Sequence, residues 1–368
     1  MTCQGMITTK KHALFVSDTA ETLGDGKTYN GIEKIIPLSK RHSSGIMING
    51  NLEFENTPVN VLLKEYRENI DFKKIDTICE MKNRLPDYLA KNTKATTKED
   101  YIKKELNYFK EELKEDINEN GFTKTVKARN KIKVKTFLKS YKNFNNEFDD
   151  IIPQDKNKKY YTKRLWEIFS CELQFEGTEI IILGYDMQHH YPTFYEFNIY
   201  CNDNGKVLYE IIDYRINSNN AYCKFFAIND EAYTFITGVN DEFIEFIIDY
   251  IETKNEYILK KLKSKLKDKN IKDYDKIINI LKNLQKEEYL KIEDDIEEFR
   301  INCIKDTSSS LEYLPEWLLC LFADHLVKLT ALKQKTSSEI ESVSYPTNIL
   351  LFEKSEGFRW VKLDDKIL

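Results

Sequence analysis

The sequence predicts an α+β chain in which blocks of antiparallel strands alternate with long helices. Three observations point there. Apolar, β-branched runs bounded by turn residues cluster at about 6–53 and again at about 176–238. Between and after them lie Lys-, Glu- and Asn-rich stretches whose apolar residues recur at helical spacing. The last twenty residues read as a hairpin, so the order is sheet, helices, sheet, helices, sheet.

Ala13 to Val16 run up to Asp18 as a strand, and Ile35 to Leu38 and Ile46 to Ile48 follow after turn-like segments. From about 57 to 170 the composition turns polar, with Ile102, Leu106, Phe109 and Leu113 spaced as one helix face. Strands are then expected at Ile180–Leu183, Phe194–Tyr200, Val207–Ile212 and Phe235–Ile236. Asp203-Asn204-Gly205 has the chemistry of a hairpin turn. A helix starting near Asp241 is apolar on more than one side at Phe243, Ile244, Phe246, Ile247 and Ile248, which predicts packing between a sheet and a further layer. Residues 254–310 read as a Lys-rich helix with Leu259, Leu262 and Leu266 on one face and a solvated charge run on the other. An apolar helix over about 315–333 precedes strands at Thr347–Glu353 and Phe358–Leu363, joined by a Ser-Glu-Gly turn.

Composition narrows the function classes. The chain is 41% hydrophobic, with 22 Tyr and 21 Phe, enough apolar surface for a substantial core. Its 56 basic and 61 acidic residues are interspersed, which gives no general affinity for nucleic acid. No run is apolar enough for a membrane span; Leu314–Leu326 contains Glu316, Asp324 and His325. No signal peptide is recognised, and a cytoplasmic protein is expected. Seven scattered Cys without a CxxC pair predict neither disulfides nor a zinc knuckle. His189 and His190 near Asp186 are read as surface-loop residues, because adjacent strand residues point to opposite faces. Gly24-Asp25-Gly26-Lys27 lacks the spacing of a phosphate loop and reads as a turn. His325 is read as a core or boundary residue, and neither a metal nor a cofactor is expected.

The chemistry-bearing candidate is Thr2. Removal of Met1 would leave its hydroxyl and a free α-amine on one residue, and an α-amine with a reference pKa of about 7.7 to 8.0 can serve as a general base. Such a nucleophile needs a buried cation nearby and a carboxylate that holds the cation. Asp18 lies sixteen residues after Thr2 and Lys34 sixteen after Asp18. Cys3, one residue on, lacks the amine and is read as a structural thiol.

With these residues the opening resembles that of proteasome β subunits and the related bacterial peptidase subunits, Ntn hydrolases whose amino-terminal Thr is followed by Asp and Lys at equal steps. Gly5-Met6-Ile7 and Phe15-Val16-Ser17-Asp18 resemble the family's first two strands, and Gly31-Ile32-Glu33-Lys34-Ile35 the segment that carries its Lys. The resemblance implies a single domain over 2–368 with a four-layer αββα sandwich of two antiparallel sheets, lengthened by helical insertions at about 66–170 and 254–310. It implies Thr2 as nucleophile, Lys34 and Asp18 as its tuning pair, and Thr237, Glu341 and Ser344 as supports. It further implies Thr22 as a backbone contact to substrate and the Gly50 N–H as oxyanion donor. Three positions depart from the family pattern: Glu341 replaces an Asp, Ile48 stands where the oxyanion Gly would be, and Ala20 replaces a frequently basic residue. The activity implied is hydrolysis of amide bonds in a peptide or protein, by a homo-oligomer to which a separate ATPase unfoldase could feed substrate. Two other readings stay open: an Ntn amidase acting on a small molecule, and a non-catalytic scaffold that uses the charged helices for contact.

Overall fold

The computed structural model describes residues 3–22, 28–96, 177–227, 230–268, 274–337, 343, 345–363 and 366–367. Strands β1 (Cys3–Thr8), β2 (His12–Asp18), β3 (Glu21–Thr22), β4 (Thr28–Tyr29), β5 (Ile35–Ser39), β6 (Ser44–Gly50), β7 (Glu53–Phe54) and β8 (Thr57–Pro58) open the chain. Helices α1 (Val59–Asn69) and α2 (Ile78–Asn92) follow, and then β9 (Thr178–Tyr185), β10 (Pro192–Asp203), β11 (Lys206–Arg215) and β12 (Tyr222–Ala227). The last part runs α3 (Asp230–Thr237), α4 (Asp241–Asp268), α5 (Tyr274–Leu311), α6 (Glu316–Thr336), β13 (Thr347–Glu353), β14 (Gly357–Leu363) and β15 (Lys366–Ile367).

The longer strands form two antiparallel sheets, one in the order β12-β1-β2-β13-β14-β15 and the other β11-β10-β9-β6-β5. Alternation along each strand decides which residues meet. Met6, Phe15, Leu350 and Phe352 of the first sheet pack against Ile35, Met47, Ile181 and Phe194 of the second. Their neighbours Ile7, Leu14, Val16 and Ile349 point the other way, into a cluster with Ala232 and Ile236 of α3 and Ala323, Leu326 and Val327 of α6. On the outer face of the second sheet, Ile46, Ile180 and Ile182 pack with Leu62 and Leu63 of α1 and Met81 and Leu85 of α2. Helix α2 begins where the Thr77 hydroxyl accepts the Glu80 N–H and the Asp186 carboxylate accepts that of Ile78. The β10–β11 hairpin turns through Asn204 and Gly205, both at positive φ as the turn expected there requires.

Two sequence expectations are corrected. Phe235–Ile236 lies in the last turn of α3, and the strand that enters the sheet at this stage is Tyr222–Ala227, paired with β1. Helix α4 is not packed on both sides: it lies beside α5 and leaves Phe243 and Phe246 largely in solvent. Ile102, Leu106, Phe109 and Leu113 and the Gly24–Lys27 turn lie outside the described residues. Among the described residues no helix is long and apolar enough to cross a membrane.

Candidate active site

Asp18 closes β2 and Lys34 leads into β5, so one comes from each sheet. Their side chains meet where the first sheet crosses the second: Lys34 Nζ donates to Asp18 Oδ1 at 2.8 Å, with the residues 2% and 0% exposed. The ammonium also donates to the Ala20 carbonyl. Asp18 accepts two backbone amides besides, from Cys3 to Oδ1 at 3.2 Å and from Ala20 to Oδ2 at 3.1 Å. Burying both ions costs several kcal/mol of hydration each, and it is tolerated only when each charge is met by good hydrogen bonds, as here. The residue bonded to the Cys3 nitrogen in the sequence is Thr2, which lies outside the described residues.

The backbone around the pair is fixed from both sheets. The Ile48 N–H donates to the Lys34 carbonyl at 2.9 Å, while the Ile48 carbonyl accepts from Gln4 Nε2 at 2.7 Å. Cys3 is fully buried, its thiol 3.7 Å from the Thr330 hydroxyl of α6, and burial pushes it up to about 12. It is held as the thiol, which removes it as a rival nucleophile near neutrality.

Three other sequence-predicted residues have partners of their own among the described residues. Gly50 ends β6 two residues past Ile48, and its N–H donates to Asn49 Oδ1 at 2.7 Å. The Thr237 hydroxyl is 2.9 Å from the Tyr233 carbonyl and 3.1 Å from that of Val239, inside the end of its own helix. Thr22 lies in the short β3–β4 pairing opposite Thr28. Glu341 and Ser344 lie outside the described residues. His189 and His190 are exposed, and Asp186 turns inward to the start of α2.

A polar cluster that the sequence reading passed over adjoins the site. Thr347 stands opposite Asp18 in the β13–β2 register. Its hydroxyl donates to Asp324 Oδ1 of α6 at 2.5 Å, and Lys362 Nζ lies 3.0 Å from the same oxygen and 2.7 Å from the hydroxyl. Lys328 completes the group at 2.7 Å from Asp324 Oδ2. Burial pushes the Asp324 carboxyl up, but hydrogen bonds from Lys328, Thr347 and Lys362 outweigh it and hold it below the ordinary carboxylate range. The one sequence signal was a carboxylate inside an otherwise apolar helix. His12, Glu316 and Glu353 also converge, with Arg359 paired to both glutamates.

No family model and no curated protein matches the chain. Solved structures similar to it include Anbu (ancestral beta-subunit) from Yersinia bercovieri, at 8% identity and a TM-score of 0.35 over 98% of this chain and 88% of that one. An Anbu (Gly-1) mutant from Hyphomicrobium sp. strain MC1 compares at 8% identity and 0.35, over 100% and 89%. These findings correct the resemblance drawn from the opening residues. These two structures are Anbu proteins, proteasome-like but distinct, and the chain is not assigned to the N-terminal threonine peptidases of the proteasome β family. At that similarity neither neighbour bears on activity or substrate.

Proposed function

We propose that this protein hydrolyses amide bonds with Thr2 as nucleophile, Met1 having been removed. The observation that carries the reading is the buried Lys34–Asp18 pair, tied by Asp18 to the amide nitrogen that bonds to Thr2. In the proposed reaction the α-amine of Thr2 takes the proton of its own hydroxyl, and the oxygen attacks the amide carbonyl. The amine product leaves with a proton, and water then cleaves the ester that remains. The Lys34 ammonium favours the neutral amine and the developing alkoxide, and Asp18 keeps that cation aimed. We read the sequence of helices, sheet, sheet and helices as a four-layer αββα arrangement in one domain, with the reacting end at the start of β1. A peptide is the substrate class favoured here, with Glu341 and Ser344 as supporting groups.

A second reading, a scaffold without catalysis, has its own support. The N–H groups of Ile48 and Gly50 are both donated within the chain, to the Lys34 carbonyl and to Asn49 Oδ1. Neither is then available to an oxyanion.

Intact mass and amino-terminal sequencing, before and after exposure to a peptide epoxyketone, separate the two. Hydrolysis by Thr2 predicts loss of Met1 and a covalent adduct on Thr2 that disappears in Thr2→Ala and falls at least about 100-fold in rate in Lys34→Ala. Retained Met1, or an unmodified Thr2, would leave the scaffold.

A further inference from the structure

Along α4, Phe243, Phe246, Tyr250 and Tyr257 are 57%, 63%, 51% and 58% exposed. Their spacing of three, four and seven residues places all four on one narrow stripe, the a and d positions of a heptad repeat. The rings already order one another: Phe246 stacks on Tyr250 with centroids 6.4 Å apart, and Lys254 and Lys261 lie over Tyr250 and Tyr257. Phe243 also lines a mainly apolar groove of about 320 Å³ between α4 and α5, together with Ile244, Ile247, Ile296 and Phe299 and the acidic Asp295. Seam and groove lie side by side, as knobs and holes for one more helix.

Charge says which helix. From Asp241 to Glu252, α4 contains no Lys or Arg, and Glu242, Glu245, Asp249 and Glu252 are exposed. Beyond Thr253 the sign reverses, with Lys254, Lys260, Lys261, Lys263 and Lys265 exposed and only Glu256 and the terminal Asp268 acidic. A helix that is acidic in its first half and basic in its second complements itself when laid antiparallel, the orientation that a two-fold axis across it generates. Area agrees: covering four half-exposed aromatics takes about 100 Å² from each, about 800 Å² over two copies, and the lysine stems and groove walls raise this toward the lower limit of a specific interface.

We propose that two copies of this chain associate through α4, antiparallel, with the aromatic stripe of each seated along the α4–α5 groove of the other. The contact is independent of the chemistry assigned to Thr2.

Sedimentation velocity and light scattering on the full chain across the micromolar range test it, with circular dichroism to check folding. The unaltered protein is expected at about twice its 43.6 kDa. Phe246→Ser with Tyr250→Ser, both at exposed positions, should weaken association on the order of 100-fold. Orientation is tested by two charge variants, Glu245→Lys with Asp249→Lys and Lys261→Glu with Lys265→Glu. Each alone should be monomeric, and an equimolar mixture should give the mixed dimer in native mass spectrometry. A monomer throughout, association unchanged in the aromatic variant, or charge variants that pair with themselves as well as with each other would each overturn the proposal.

Discussion

At the scale of single residues the energetic centre is the Lys34–Asp18 pair. Its ions are worth little against an apolar pair of the same shape but much against a broken one, because removing either partner leaves a buried charge. Asp18→Asn is therefore expected to cost about 3–5 kcal/mol, and the double variant Asp18→Asn, Lys34→Met less than the sum of the single ones. Urea unfolding of the three variants measures that coupling, and strict additivity would refute it. The pair was legible in the sequence through the equal sixteen-residue steps from Thr2 to Asp18 and from Asp18 to Lys34. The Asp324–Thr347–Lys362 cluster was not, since it depends on a strand register and a helix position that no local pattern encodes. The bonds that the Gly50 N–H and the Thr237 hydroxyl make within the chain were not legible for a related reason. Whether an N–H or a hydroxyl is already engaged by its own helix or by the preceding side chain is settled by backbone geometry.

At the scale of elements, most strands follow from alternation, and the exceptions have causes. Phe235-Ile236 resembles a strand because a short apolar run has no period of its own; the helix is set by Asp230 and Glu231 in its first turn and by Gly238 after it. Gly238 sits at φ 77°, its N–H returning to the Thr234 carbonyl, the left-handed cap that lets α3 turn into α4. A Cβ there would come within 2.9 Å of Cys303 Sγ on α5. Gly238→Ala is thus expected to lower stability by about 1–3 kcal/mol through strain and the displaced thiol together. Thermal melts of this variant beside Gly205→Ala, at positive φ with open space around it, separate the two contributions. The amphipathic reading of α4 failed differently: its second apolar face was real, but among the described residues no sheet covers it.

At the scale of the whole molecule, polar groups as well as side-chain packing join the two sheets. Gln4 reaches from β1 to the Ile48 carbonyl, and Lys224 of β12 reaches Glu196 of β10 at 2.5 Å. The second contact explains why Tyr222–Ala227 escaped notice as a strand, since a lysine occupies an inward position that is acceptable only with a carboxylate across from it. Burial pushes the Glu196 carboxyl up from 4.5 to about 7, with the hydrogen bond from Lys224 pulling the other way. Between those values the folded chain holds a proton that the unfolded chain has released, so this group's contribution is complete below pH 4.5 and is lost as pH rises through about 7. Asp324, held low, acts with opposite sign and only in more acid solution, where its protonation would release Lys362 and Lys328. The two windows do not overlap, but His42, held below its ordinary 6.5 by burial, also responds in the higher one, so Glu196 is isolated by comparing urea midpoints with those of Glu196→Gln. The unaltered protein should lose on the order of 1–3 kcal/mol there relative to Glu196→Gln, whose amide cannot titrate. Parallel profiles for the two proteins would mean that Lys224 keeps Glu196 ionised throughout, and the sheets would then be joined by a permanent ion pair.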